Sequence, residues 1–215
     1  MLMMLDLDNT LGNRAAAVDG WIKAFVAERS LPAEVVPWFL DVDNDGYRAR
    51  DQVFAEMQRE WDLDDRVETL VQEYRSNVGS HTAAMPGAFE SLVKLRSLGW
   101  TLAIVTNGES APQHGKIDAI GFRQLVDAII VSGDLGIKKP DRRIFDAAAE
   151  ATGESLAGSW MVGDAALHDI VGAAAVGAKT AWLHRGRSWP AEHVEPTVTL
   201  DDLTQLVDAV VRHGD

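Results

Sequence analysis

MLMMLDLDNTL, residues 1–11, sets how the rest of the chain is read. Five apolar residues run unbroken into Asp6-Leu7-Asp8-Asn9-Thr10. An apolar run without alternation, bounded by polar residues, predicts a strand buried on both faces, as in a parallel sheet. Asp6 and Asp8 then stand where that strand ends. In open α/β sheets, ligands bind outside the carboxyl ends of the strands. Asp and Asn also start turns and cap helices, so this stretch by itself supports a turn as well as a site.

The chain has 215 residues, enough for one domain or one domain carrying an insertion. Its 47% hydrophobic content supplies a sizeable core, and the absence of cysteine excludes disulfides and a thiol nucleophile. No apolar run reaches membrane-spanning length. The first residues lack a basic start and meet Asp6 too soon for a signal peptide, so a cytoplasmic protein is expected. A net charge of −13 argues against nucleic acid as a partner, and an anionic substrate would need locally placed cations.

Beyond Asp8, apolar residues at helical spacing predict a helix over 14–30, a short apolar segment over 33–40, and further helical pattern from Asp51 to Gly79. Residues 13–82 thus read as several helices without a strand. From Met85 the pattern changes. A helix runs to Leu98, followed by the strand TLAIVT and a helix near 112–121. The strand AIIV is followed by a helix after Pro140 that ends at Gly153. The strand SWMVG leads into Asp164 and an Ala-rich helix. AKTAWL and TVTL are further strands, before a last helix from about Asp201. This alternation predicts an α/β fold: a doubly wound parallel sheet, formed by 1–12 and 83–215, with 13–82 inserted as a helical domain.

Parallel strands bring their carboxyl ends to one edge. Asp6 and Asp8, Thr106 and Asn107, Lys139, then Asp164 and Asp169 all follow such ends. Asp6, Asp8 and Asp164 make an oxygen-rich set suited to Mg²⁺, and a cation would relieve their mutual repulsion. Lys139 and the metal would neutralise a phosphoryl group, and Thr106 offers a hydroxyl. A carboxylate with no serine or cysteine beside it can itself be the nucleophile. A second carboxylate two residues on can act as general acid and then base. Asp164 is expected at an exposed strand end.

DLDNT at 6–10, VTNG at 105–108, GIKKPDRRIF at 136–145 and VGDAALHDI at 162–170 stand in the order of the four signatures of the haloacid dehalogenase-like hydrolase superfamily, which this chain resembles. The resemblance implies a Rossmann-like core and a small helical cap after the first signature that closes over the site. It implies Asp6 as nucleophile, Asp8 as acid and base, and Thr106, Asn107 and Lys139 as phosphoryl binders. Asp6, Asp164 and the Asp8 backbone carbonyl would be Mg²⁺ ligands, with Asp169 behind them or acting through water. Dehalogenases in this superfamily lack the second acid, because halide leaves without a proton. Asp8 therefore favours phosphoryl transfer. The expected activity is a Mg²⁺-dependent phosphatase acting on a small phosphorylated metabolite, as a monomer or homodimer. A sugar-phosphate mutase, a 2-haloacid dehalogenase and a catalytically silent binding protein are the alternatives.

Other signals are weaker. Asp41-x-Asp43-x-Asp45-Gly46 imitates a calcium loop, but its twelfth position is Gln52 rather than Glu. A cap loop is the other reading, with Tyr47, Arg48 and Arg50 facing substrate. Lys23 on a polar helix face reads as solvated rather than as a Schiff-base lysine. Gly115-Lys116 resembles the end of a phosphate loop, without its first glycine in place or a following Ser or Thr. The six histidines have no zinc-type spacing. Of Trp21, Trp38 and Trp61, most are expected in the helical core and one lining the pocket, and Trp182 and Trp189 in the core or at an interface.

Overall fold

The computed structural model describes residues 1–46 and 48–213. The chain divides into two compact units, Met1–Asn13 with Ala84–Asp215, and Arg14–Ala83.

The first unit is built on a six-stranded sheet in the order β3-β2-β1-β4-β5-β6. The strands are β1 (Leu2–Leu5), β2 (Thr101–Thr106), β3 (Ala128–Val131), β4 (Trp160–Gly163), β5 (Lys179–Leu183) and β6 (Val198–Leu200), and every pairing is parallel. β1 lies inside the sheet, with Leu5 opposite Ile104 on one side and Val162 on the other. Successive side chains of a strand face opposite sides. Met3 and Leu5 accordingly join one core with Ala88, Leu92, Leu95 and Leu206, while Leu2 and Met4 join a second with Ile144, Phe145 and Ala148. Both faces are covered, which is why the stretch has no polar alternation.

The helices of this unit are α5 (Ala88–Ser97), α6 (Ser110–Ala119), α7 (Ser132–Leu135), α8 (Arg142–Thr152), α9 (Gly172–Ala174) and α10 (Leu206–Arg212). The α/β fold with a doubly wound parallel sheet agrees with the sequence reading. The Ala-rich helix expected after Asp164 differs: residues Ala166–Val171 form a π-helical turn, and α9 adds a single turn. Across that turn Asp169 folds back, and its Oδ2 accepts the Ala165 N–H at 2.9 Å. Before the chain leaves this unit and after it returns, the backbone is joined by the Met85 N–H donating to the Leu11 carbonyl at 2.8 Å.

The second unit contains α1 (Arg14–Glu28), α2 (Val35–Asp43), α3 (Arg50–Glu60) and α4 (Val67–Asn77), with no strand among its described residues. α1 ends before 30 because Ser30 turns left-handed, at φ 53°. Trp21 is the centre of its core, with ring centroids 4.9–5.8 Å from Tyr74, Phe25, Phe39 and Phe54. Trp38 and Trp61 pack edge to face at the margin of that core.

The calcium-loop imitation in this unit is an ion-pair knot. Asp43 is buried and bound by Arg14 at 2.9 Å and by Arg50. Asn44, Asp45 and Gly46 all have positive φ, which turns the chain sharply there. Arg50 also stacks over Tyr74, and Arg48 binds Glu56 at 2.7 Å. Tyr47 lies outside the described residues. Lys23 is exposed and paired with Asp19 at 2.6 Å.

Candidate active site

The carboxyl edge of the sheet carries the site, all of it within the first unit. β1 delivers Asp6, whose N–H donates to the Val162 carbonyl of β4 at 2.9 Å and so fixes its position between β1 and β4. Lys139 enters from the loop before α8 and is buried to 1% exposure. Its ammonium donates to Asp6 Oδ1 and to the Val105 carbonyl, both at 2.6 Å, and lies 2.8 Å from Asp169 Oδ1. β4 ends in Gly163 and hands over to Asp164. Carboxylate oxygens of Asp6, Asp164 and Asp169 lie within 4.8 Å of one another.

Two buried carboxylates, Asp6 and Asp169, share Lys139, while Asp164 beside them is paired with Arg185 and Arg187. Burial drives the Asp6 carboxyl well above the usual range; Lys139 opposes this, while Asp169 and Asp164 add to it. Burial pulls the Lys139 ammonium down, but Asp169 and Asp6 outweigh it and hold the group above its ordinary value. Asp164 is pushed up to about 6, by burial and then by Asp169, against Arg187 and Arg185. The set is all-oxygen and buried, and burial and mutual repulsion raise the Asp6 and Asp164 carboxyls, so its chemistry fits a hard divalent cation such as Mg²⁺. Asp6 and Asp164 present the open oxygens, whereas both oxygens of Asp169 face Lys139 and the Ala165 N–H.

Asp164 is not at an exposed strand end, as expected from sequence, but only 5% exposed. The loop after β5 covers it. Arg187 reaches Oδ2 at 2.9 Å and the Asp164 carbonyl at 2.7 Å; Arg185 reaches Oδ2 at 3.3 Å, and the Trp182 indole N–H donates to the carbonyl at 2.9 Å. Trp189 stacks edge-on against Trp182, so this pair is part of the packing beneath that loop.

Asp8 stands apart from the three-carboxylate cluster. Lys116 of α6 holds both its oxygens, at 2.7 and 2.8 Å. Gln113 Nε2 donates to Asp8 Oδ2 at 3.0 Å and to Thr106 Oγ1 at 2.7 Å, which joins the ends of β1 and β2. Asn107, expected to contact substrate, has its side chain on the Lys139 backbone. Its Oδ1 accepts the Lys139 N–H at 2.8 Å, and its Nδ2 donates to the Lys139 carbonyl at 3.1 Å. Gln113, Arg185 and Arg187 escaped the sequence reading. Lys116 stands out in the sequence only as part of a poor phosphate-loop match. The available signal was the i, i+3 spacing of Gln113 and Lys116, just after a strand-end Thr.

Residues 3–183 match the haloacid dehalogenase-like hydrolase family. The chain belongs to that family. Among its relatives, pyrimidine 5'-nucleotidase YjjG of Escherichia coli is 34% identical over 130 residues, 60% of this chain and 57% of that protein. The chain therefore spans little more than half the length of that relative. Phosphoglycolate phosphatase of Agrobacterium fabrum is 27% identical over 97% of this chain and 91% of its own length. Of solved structures, HAD-hydrolase YfnB from Bacillus subtilis, bound to magnesium, superposes with a TM-score of 0.83 at 22% identity, covering 96% of each chain. L-2-haloacid dehalogenase from Xanthobacter autotrophicus superposes at 0.78 with 17% identity, covering 99% of this chain and 98% of its own. Both structural likenesses speak to the fold. No helix among the described residues is long and apolar enough to cross a membrane.

Proposed function

We propose that this hydrolase is a Mg²⁺-dependent phosphatase that cleaves a small phosphorylated metabolite through an aspartyl-phosphate on Asp6. The observation that carries the reading is the different treatment of two acids only two residues apart. Asp6 lies in the buried cluster with Lys139, Asp164 and Asp169, while Asp8 is outside that cluster, held by Lys116 and Gln113. Asp6 is buried against Lys139 in a carboxylate cluster that a divalent cation would complete, as a nucleophile for an anionic centre needs. The other is kept separate, as a proton carrier needs.

Asp6, Asp164 and the Asp8 carbonyl would hold the Mg²⁺, with Asp169 behind them. Bound there, the ion supplies positive charge to the phosphoryl oxygens. The Asp6 carboxylate attacks phosphorus as the bond to the leaving oxygen breaks, and Asp8 gives that oxygen a proton. Water then attacks the phosphorus of the acyl phosphate, Asp8 takes its proton, and the Asp6 carboxylate and phosphate are released. Lys139 offsets charge on the phosphoryl group, and Thr106 donates its hydroxyl to it. A dehalogenase would have no use for Asp8, since halide leaves unprotonated. The relative whose name includes phosphoglycolate phosphatase, and the magnesium in YfnB, support the same reading. We read the helical unit Arg14–Ala83 as the cap that carries substrate selection.

The test is phosphate release from a panel of phosphorylated metabolites and from p-nitrophenyl phosphate. Turnover that EDTA abolishes and Mg²⁺ restores is expected. Halide release from 2-haloacids without any phosphate release would contradict the reading.

A further inference from the structure

Asp8 is held by two residues that the phosphatase reading leaves without a task. Lys116 makes a two-pronged contact to its carboxylate, and the two side chains are only 12% and 25% exposed. An exposed pair of this kind rarely holds a fixed geometry, because side-chain entropy and solvent oppose it. This pair is sheltered, and it is braced a second time. Gln113, 2% exposed, shares its amide between Asp8 Oδ2 and Thr106 Oγ1.

The scaffold behind the brace is equally specific. Gln113 and Lys116 lie on the α6 face that carries Ile117, which is fully buried in the core beside β1 and β2. Ile117 therefore sets the rotation of the helix, and with it the reach of both polar side chains. Gly108 leaves the room that Gln113 occupies: a Cβ there would lie 2.7 Å from Gln113 Cγ. A carboxylate alone could turn about its last torsion. With both oxygens held by Lys116 and one of them also held by Gln113, which is itself anchored on Thr106, that freedom is removed.

We propose that Lys116 and Gln113 are positioning residues for Asp8, fixing its carboxylate in the orientation from which it exchanges protons with the departing oxygen and with water. The inference rests on Asp8 being the acid and base of the proposed phosphatase. A misplaced proton carrier costs rate rather than binding, so kcat carries the effect and KM does not.

The experiment is a double-mutant cycle on the full chain with Mg²⁺ and phenyl phosphate, whose leaving oxygen needs a proton. Lys116→Met should lower kcat about 10-fold to 10²-fold, as for a displaced catalytic group, with KM within about twofold. Added to Asp8→Asn, it should cause no further loss, because its effect passes through Asp8. Lys116→Arg, which keeps the cation, should recover most of the rate. If Lys116→Met does not fold, Gln113→Met takes its place in the same cycle. A loss that adds to that of Asp8→Asn, or a raised KM at unchanged kcat, would overturn the inference while leaving the phosphatase reading intact. Absence of phosphate release by the wild type would overturn both.

Discussion

A Cβ on Gly163 would lie 2.5 Å from the Cβ of Asp169 and overlap its carboxyl group. The last residue of β4 is therefore glycine because the π-helical turn folds Asp169 directly back over it. Gly163→Ala must push Asp169 away from Lys139. Overpacking of this kind costs about 1–3 kcal/mol, to be read as a lower urea midpoint. A variant as stable as the wild type would mean that Asp169 can move freely.

Among the described residues, Lys139 is the one cation in direct contact with both Asp6 and Asp169. Removing one member of a buried charged group leaves the others uncompensated. Lys139→Met should destabilise the protein in EDTA by about 3–5 kcal/mol at neutral pH. Denaturant titration measures this, and a loss below 1 kcal/mol, roughly the value of a surface pair, would contradict the geometry.

Much of this site was legible in the sequence, and the reason is topological. An unbroken apolar run makes β1 a two-faced interior strand, and parallel neighbours then force Asp6, Thr106, Lys139 and Asp164 to one edge. Side-chain direction was not legible. Asn107 turns onto the backbone of Lys139 and Lys116 onto Asp8 because of how α6 and the 136–141 loop pack, and neither is a local property of the chain. Arg187 comes from a loop after β5 with no periodic pattern to place it. The Asp41–Asp45 imitation misleads because alternate acids look the same whether they face an ion or two arginines.

If the carboxylate set holds Mg²⁺ as proposed, the ion should stabilise the wild type by binding the folded state. At 100 times its Kd the gain is about 2.7 kcal/mol. Asp164→Asn removes one ligand charge and should abolish most of the Mg²⁺-induced rise in melting temperature. The fold stays intact, because the amide still accepts from Arg187. An unchanged rise would remove Asp164 from the metal site.

Asp141 caps α8, accepting the Arg143 N–H at 3.0 Å. The Arg143 guanidinium and then that backbone N–H hold its carboxyl at about 2, below the ordinary 3.8. A lowered carboxyl favours the folded state above the unfolded value. The contribution is present above pH 3.8 and is lost as pH falls towards 2. A carboxyl ¹³C titration of Asp141 should show a midpoint near 2 in the wild type and a higher one in Arg143→Ala. Identical midpoints would contradict the pairing.

The central claim is that Asp6 carries the phosphoryl group and Asp8 moves the protons. Asp8→Asn keeps the nucleophile and the backbone carbonyl but lacks the base for the water step, a loss of about 10²–10⁴-fold. Given Mg²⁺ and acetyl phosphate, whose leaving group needs no proton, this variant should accumulate phosphorylated protein. The measurement is mass spectrometry of acid-quenched Asp8→Asn after peptide digestion. The account predicts one phosphoryl group on Asp6, absent from Asp6→Asn; an adduct on any other residue, or none under conditions where the wild type turns over, would contradict it.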